Sequence, residues 1–158
     1  MDRKLIDEFA ARADVPARAI KGLTPKELNS HPVPGTWSIQ QIIVHLMDSH
    51  LIGSDRMKRM IAEDNPTIIA YDETQFSKNL HYDKLDAGMA AEAFRINQLL
   101  TAELLRHLPD AAFERAGMHS ERGRITVGTL VKDYTGHVDH HMKFLRQKRT
   151  ALGKPLDW

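Results

Sequence analysis

The residues with most chemistry to offer are nine histidines, in a 158-residue chain that has no cysteine. Three of them fall within Gly136-His137-Val138-Asp139-His140-His141. On a helix, steps of about 100° per residue place His137 and His141 on one face, one turn apart. Leu130, Tyr134 and Phe144 share with them an arc of about 80°, so two imidazoles interrupt the stripe that should face a core. Neutral ring nitrogens stacked in this way can chelate one divalent ion. The same spacing also suits a pair of core histidines satisfied by hydrogen bonds. Two interior rings without partners would cost about 1–3 kcal/mol per unsatisfied group, so the pair needs a partner of one kind or the other. His140 is offset by about 60–100° and belongs at a rim, whereas Asp139 projects about 180° from the bisector of the pair.

A third histidine, His45, falls near the edge of the apolar face of another helix, in phase with Ser49, Ile52 and Arg56. Polar groups in an apolar stripe point to a pocket inside a bundle, a common place for metal sites. Three inward histidines would leave at least one coordination position open, the pattern of a catalytic rather than a structural site. Imidazole ligands suit zinc or nickel, with iron as a further option.

The elements that must position these groups are helical. A first helix is predicted from Lys4 to Ile20, with a break near Pro16, and a short helical turn follows Thr24-Pro25. His31-Pro32-Val33-Pro34-Gly35 excludes regular helix. Ser38 and Gln41 then form a capping-box pattern that opens a helix from Ile39 to Ala62, with Ile42, Leu46, Gly53, Met57 and Met60 near one side. A third long helix starts after its N-cap Asp86 and carries Ala93, Phe94, Ile96, Leu100 and Leu104. A fourth runs from near Thr126 to Ala151. Almost no strand-like alternation is visible. The stretch from Asp64 to Lys84 has no clear periodicity, and a connection of that length permits a crossover between parallel helices. The expected architecture is an all-α four-helix bundle with one long crossover between helices two and three, spanning residues 1–158 as a single domain.

These residues also carry a family resemblance. Trp37-Ser38-Ile39-Gln40-Gln41-Ile42-Ile43-Val44-His45-Leu46-Met47-Asp48 resembles the second-helix signature of the DinB-like superfamily. The stretch from His119 through Gly123, Ile125 and Thr126 to His137-Val138-Asp139-His140-His141 resembles that family's C-terminal half. The order of elements, including the loop with Tyr71-Asp72, fits along almost the whole chain. The resemblance implies a four-helix bundle with a crossover, metal-ligand roles for His45, His137 and His141, and a homodimer. It also implies one of several activities: a thiol-dependent transferase or isomerase, or a metal-dependent hydrolase.

A bound divalent ion would lower the pKa of coordinated water to about 7, or hold a thiol as its thiolate. The leading expectation is therefore a metal-dependent transferase or isomerase that uses a low-molecular-weight thiol on a small electrophile; in a cysteine-free chain the sulfur must come from outside. The alternatives are a metal-dependent hydrolase and a non-catalytic, stress-related metal-binding module. Asp48, one turn from His45, is a candidate to orient that ring or to make a surface ion pair. Arg56, three turns from His45, is a candidate for an anionic substrate or cofactor carboxylate, against a snorkelling or ion-paired role. Tyr71, Asp72 and His81 lie in the crossover, where a lid over the pocket would form. Met47, Met57 and Met60 read as packing residues.

The remaining composition mainly excludes. Charges of 22 basic against 21 acidic residues give +1, without the basic excess of a nucleic-acid binder. Lys143, Arg146, Lys148, Arg149 and Lys154 read as a solvated helix end. No apolar run approaches the roughly 20 residues of a membrane span. Met1-Asp2-Arg3-Lys4 leads into no apolar signal region, and with the missing cysteines this fits the cytoplasm. The C-terminal Gly153–Trp158 ends in an apolar residue suited to docking on the bundle or on a partner.

Overall fold

The computed structural model describes residues 3–158; Met1 and Asp2, part of the N-terminal segment read above, lie outside them. The first helix is two: α1 (Lys4–Ala11) and α2 (Val15–Ile20), with Pro16 in the first turn of α2. Pro16 lacks the N–H that would continue the ladder from α1, so the chain restarts there. Thr24 and Glu27 form a full capping box on α3 (Pro25–Asn29). Ser38 and Gln41 do the same for α4 (Ile39–Ala62): Gln41 N–H donates to Ser38 Oγ at 3.1 Å, and Ser38 N–H to Gln41 Oε1 at 2.8 Å.

The crossover is more ordered than its sequence pattern indicates. It contains β1 (Thr67–Ile68), α5 (Glu73–Asn79) and a 3₁₀ turn at Tyr82–Lys84. Helix α6 (Ala87–Arg106) follows, capped by Asp86 Oδ1 accepting from Met89 N–H at 2.7 Å. Strands β2 (Ala116–His119) and β3 (Gly123–Thr126) then lead into α7 (Val127–Ala151), capped by Thr126. The three strands form one small sheet in the order β1-β2-β3, with β1 parallel to β2 and β2 antiparallel to β3. Alternation cannot register in strands of two to four residues, which is why the sequence showed none. Gly117 permits the β1–β2 approach, since a Cβ there would fall 2.8 Å from the Pro66 carbonyl oxygen.

Helices α4, α6, α7 and the α1–α2 pair make the four-helix bundle, with α4 packed against both α6 and α7 and α1 against the same two helices. Its apolar core is cut in two. One cluster holds Ile39, Ile43, Leu46, Phe94, Val138 and Leu145; the other holds Ile6, Phe9, Met57, Met60, Leu105 and Leu130. Between them along α4 lie buried His45, Ser49, His50 and Ser54, and along α7 lies His137. The bundle thus has a polar waist.

That waist explains a difference on α6. Ile96 and Leu100, part of the apolar set this helix carries, face solvent, and α6 instead buries Ala90, Ala91, Phe94, Gln98, Thr101 and Leu105. Gln98 is fully buried because both ends of its amide are used: Oε1 pairs with His50 Nδ1 at 2.8 Å, and Nε2 donates to the Phe9 carbonyl at 2.8 Å. A polar residue with both ends bonded outcompetes Leu100 for the interior here.

The basic C-terminal end of α7 is solvated only in part: Lys143 and Arg146 are exposed as expected, but two of its cations are not. Lys148 and Arg149 are buried, and Arg149 donates to the carbonyls of Ala19, Lys21 and Lys154. The C-terminal segment docks on its own bundle: Trp158 stacks under the Arg18 guanidinium at 3.9 Å, and Arg146 donates to its carbonyl at 3.0 Å. Among the described residues no helix is long and apolar enough to cross a membrane.

Candidate metal centre

The middle of α4 presents His45, and the middle of α7 presents His137 and His141, at the polar waist. His45 Nε2 lies 3.1 Å from His137 Nε2, and His141 Nε2 lies 3.0 Å from the same atom. One ring nitrogen of each residue lies within 4.8 Å of the others, and no other such histidine or carboxylate group of three occurs among the described residues. His45 is fully buried and His141 nearly so. Burial, reinforced by the neighbouring rings, pushes the histidine pKa values down from 6.5 to about 2 for His45 and about 3 for His137 and His141. All three are neutral at physiological pH.

Neutrality makes the geometry a test of metal binding. A neutral imidazole nitrogen carries either one proton or one in-plane lone pair. His137 Nε2 has one in-plane proton or one lone pair to direct at two neighbours, so at least one of its two contacts is left without a linear hydrogen bond. A cation shared by the three lone pairs removes that conflict. Tetrahedral Zn–N bonds of about 2.0–2.1 Å place ligand nitrogens about 3.3 Å apart, close to the spacing here. The Nδ1 atoms of all three rings are buried without a hydrogen-bond partner, so no carboxylate or carbonyl fixes their tautomers. The residues fit a divalent ion, and the tautomer is set by what Nε2 holds.

Beside His137 opens a cavity of about 160 Å³ whose walls include Ser49, Arg56, Tyr71, Glu73, Asp133 and Tyr134. Arg56 neither snorkels nor forms an ion pair: it donates to the Ile69 carbonyl and, at 3.3 Å, to Tyr134 Oη, tying the crossover to the bundle. Two bonds leave other guanidinium donors for a ligand. Tyr71 comes to the cavity as expected of a lid residue; its buried hydroxyl makes no hydrogen bond of good geometry, and burial pushes its pKa up to about 12. Asp48 fills neither of its expected roles. It accepts a 2.6 Å hydrogen bond from Tyr82 Oη, fixing the 3₁₀ turn to α4, because the buried tyrosine hydroxyl needs an acceptor. Asp72 caps α5 through Gln75 N–H, and His81 stands exposed, entering the 3₁₀ turn with a left-handed backbone. His140 sits exposed at the rim, its ring 5.3 Å from that of His141. Asp139 points away and binds Arg12 through both carboxylate oxygens.

Four residues at the site were not singled out from the sequence. His50 lies five positions from His45 and so out of phase with it, yet its ring stacks 5.6 Å from His137. Glu73, Arg122 and Asp133 reach the cavity from α5, the β2–β3 turn and α7. His119 Nδ1 accepts the N–H groups of Glu121 and Arg122, which shapes the turn, and Arg122 makes an ion pair with Asp133 at 2.8 Å. The available signal was Asp133 itself, one turn before His137 on the same helix. Burial, the largest cause, raises the Glu73 pKa.

Four helices with a crossover and three imidazoles converging at the waist define a histidine-centred bundle with room for one divalent ion. The chain belongs to the DinB superfamily, whose family model matches residues 9–145. Its relatives include an Oceanobacillus iheyensis protein named "Putative metal-dependent hydrolase", 32% identical over 86% of this chain and 76% of that one. A Bacillus mycoides protein of the same designation is 30% identical over 98% of this chain and 87% of its own. Among solved structures, YfiT from Bacillus subtilis, described as "a probable metal-dependent hydrolase with an unusual four-helix bundle topology", superposes with a TM-score of 0.85. It is 27% identical and covers 95% of this chain and 86% of its own.

Proposed function

We propose that this protein is a metal-dependent enzyme in which His45, His137 and His141 hold a divalent ion, zinc or nickel first and iron next, beside a pocket for a small electrophilic substrate. The observation that carries this reading is the convergence of three neutral Nε2 atoms that cannot satisfy one another. Such an ion, once bound, lowers the pKa of a water or thiol nucleophile to near neutrality.

The nucleophile we favour is water. The names of the relatives support hydrolysis, and so does Glu73, a carboxylate with a raised pKa in the wall of the cavity that makes no ion pair among the described residues. It is suited to accept the proton that water gives up. Tyr71 Oη, protonated and making no hydrogen bond of good geometry among the described residues, donates a hydrogen bond to the substrate oxygen on which charge develops. Arg56 offers its spare N–H groups to an anionic part of the substrate.

A second reading, transfer or isomerisation with a low-molecular-weight thiol, has its own support: the chain has no cysteine, and Arg56 together with Arg122 lines the cavity where a thiol cofactor's carboxylate would sit. One comparison separates the two. Metal-loaded protein is assayed on activated esters and amides without thiol, and on a chloroarene electrophile with and without cysteine or another small thiol. Thiol-independent hydrolysis, reduced at least about tenfold in Glu73→Gln, supports water. Turnover that requires thiol and is indifferent to Glu73→Gln supports the second reading. Absence of both, with metal bound, refutes the enzymatic proposal.

A further inference from the structure

One buried polar column at the waist stands outside the metal centre. Gln98 reaches in from α6, with its Nε2 donating to the Phe9 carbonyl and its Oε1 facing His50 Nδ1, both at 2.8 Å. A main-chain carbonyl only accepts, so the NH₂ end of the amide must face Phe9 and its oxygen must face His50. That oxygen accepts in its turn, so His50 Nδ1 carries a proton. Burial draws the His50 pKa down to about 4, so the ring is neutral and this proton is its only one. His50 Nε2 therefore bears a lone pair. It lies buried with no hydrogen-bond partner among the described residues, and a buried acceptor left in that state costs about 1–3 kcal/mol.

Four rings stand around that of His50: Phe94 at 4.5 Å, Tyr134 at 5.1 Å, His137 at 5.6 Å and Phe9 at 6.4 Å between centroids. The two phenylalanines have no polar donor. The Tyr134 hydroxyl lies at the cavity, where it accepts from Arg56 at 3.3 Å. His137 remains, and its Nδ1 is likewise buried without a partner. The His50 and His137 planes are within 24° of parallel. Flat rings in face contact stand about 3.5–4 Å apart, so near-parallel rings at the observed separation are slid past one another by about 4 Å and meet along their edges. Two imidazoles joined nitrogen to nitrogen by a hydrogen bond of about 3.0 Å have centroids about 5.3 Å apart, within a few tenths of an ångström of this pair. An ion on His137 Nε2 leaves Nδ1 as the one place for the ring proton. The two orphaned nitrogens are then complementary, one a donor and the other an acceptor.

We propose that His50 is a positioning residue of the metal centre: its Nε2, kept bare by the hydrogen bonds of Gln98, accepts the Nδ1–H of His137 and holds that ring with its Nε2 lone pair toward the ion. This role presupposes the metal-centre reading. A histidine ligand ordinarily gives its second N–H to a carboxylate, a carbonyl or water, and here a neutral imidazole of fixed tautomer takes that place. Being neutral, it orients the ligand without cancelling any of the positive charge of the site.

The test uses the full-length protein with ¹⁵N-labelled histidines, zinc-free and zinc-loaded, and measures zinc affinity by competition with a chelator. Long-range ¹H–¹⁵N correlation spectra show which nitrogen of each ring is protonated. The expected result is a His50 protonated at Nδ1 and bare at Nε2 in both samples, and in the zinc-loaded one a coupling across the hydrogen bond from His137 Nδ1–H to His50 Nε2. His50→Phe should weaken zinc binding about ten- to hundredfold. Gln98→Met should weaken it in the same direction, although Gln98 bonds to none of the three ligands. Thr101→Val, which removes the other buried, unpartnered polar group of α6, should leave it unchanged. Zinc bound without the coupling, or a His50 protonated at Nε2, would overturn the proposal in the wild type alone and leave the metal centre standing. So would full zinc affinity in His50→Phe. A wild type that takes up no zinc would instead sink the metal-centre reading, and the proposal with it.

Discussion

Gly53 offers the sharpest test of how the waist is built. It sits in α4 under the Tyr134 ring, and a Cβ there would fall 2.4 Å from Tyr134 Cζ and 2.7 Å from both Cε atoms. In an ordinary helix interior, Gly→Ala stabilises by about 0.5–1 kcal/mol because the flexible glycine loses more entropy on folding. Here the ring must retreat by about 1 Å to reach van der Waals distance, and overpacking of this kind costs about 1–3 kcal/mol. The retreat also strains the 3.3 Å bond from Arg56 to Tyr134 Oη and the edge contact of the ring with His50 at 5.1 Å. Gly53→Ala should therefore lower the melting temperature by roughly 2–12 °C, taking about 2–4 °C per kcal/mol at this chain length. In a Tyr134→Leu background the same substitution should change sign and raise stability. Urea unfolding of the four proteins of this cycle measures the coupling directly. If Gly53→Ala stabilised the wild type as it does an exposed helix, the close packing of Tyr134 on α4 would be refuted.

Three further predictions concern the same region. Metal-free protein should lose stability as pH falls from about 6.5 toward 4, because the folded state depresses the pKa of His50 to about 4 and those of the three clustered histidines further still. The unfolded chain binds those protons first, so each group adds a slope of about 1.4 kcal/mol per pH unit in that window, and a flat urea midpoint between pH 7 and 5 would contradict the buried neutral rings. Arg56→Ala should release the crossover at Ile69, speeding amide hydrogen exchange across residues 66–72 while leaving the centre of α4 protected. Asp139→Asn breaks a bidentate contact to Arg12 that is more than half exposed at the aspartate, and should cost less than about 1 kcal/mol in unfolding without altering metal content.

Much of this architecture is legible in local chemistry. Ser38 and Gln41, Asp86, and Thr126 each cap a long helix where the pattern placed them, since a cap is decided by three or four adjacent residues. The phase of His137 and His141 on α7 likewise follows from helical geometry alone. What escaped the sequence depends on partners distant along the chain. His50 and Gln98 look misplaced on their helices until each is seen to satisfy the other. Leu100 looks like core until Gln98 and Thr101 take the inward face. Asp48 sits beside His45 in sequence, but a tyrosine 34 residues on takes its hydrogen bond. Lys148 and Arg149 resemble a soluble helix end, and only the carbonyls of Ala19 and Lys21 and the hydroxyl of Thr36 show why they are buried.

The central claim is that His45, His137 and His141 share one divalent ion. Elemental mass spectrometry of tag-free protein, wild type beside His137→Ala, tests it most directly. About one equivalent of metal per chain in the wild type, lost in the variant, is the predicted result. Wild-type protein that takes up no metal after incubation with zinc, nickel and iron salts would contradict it, leaving the three rings as pocket residues.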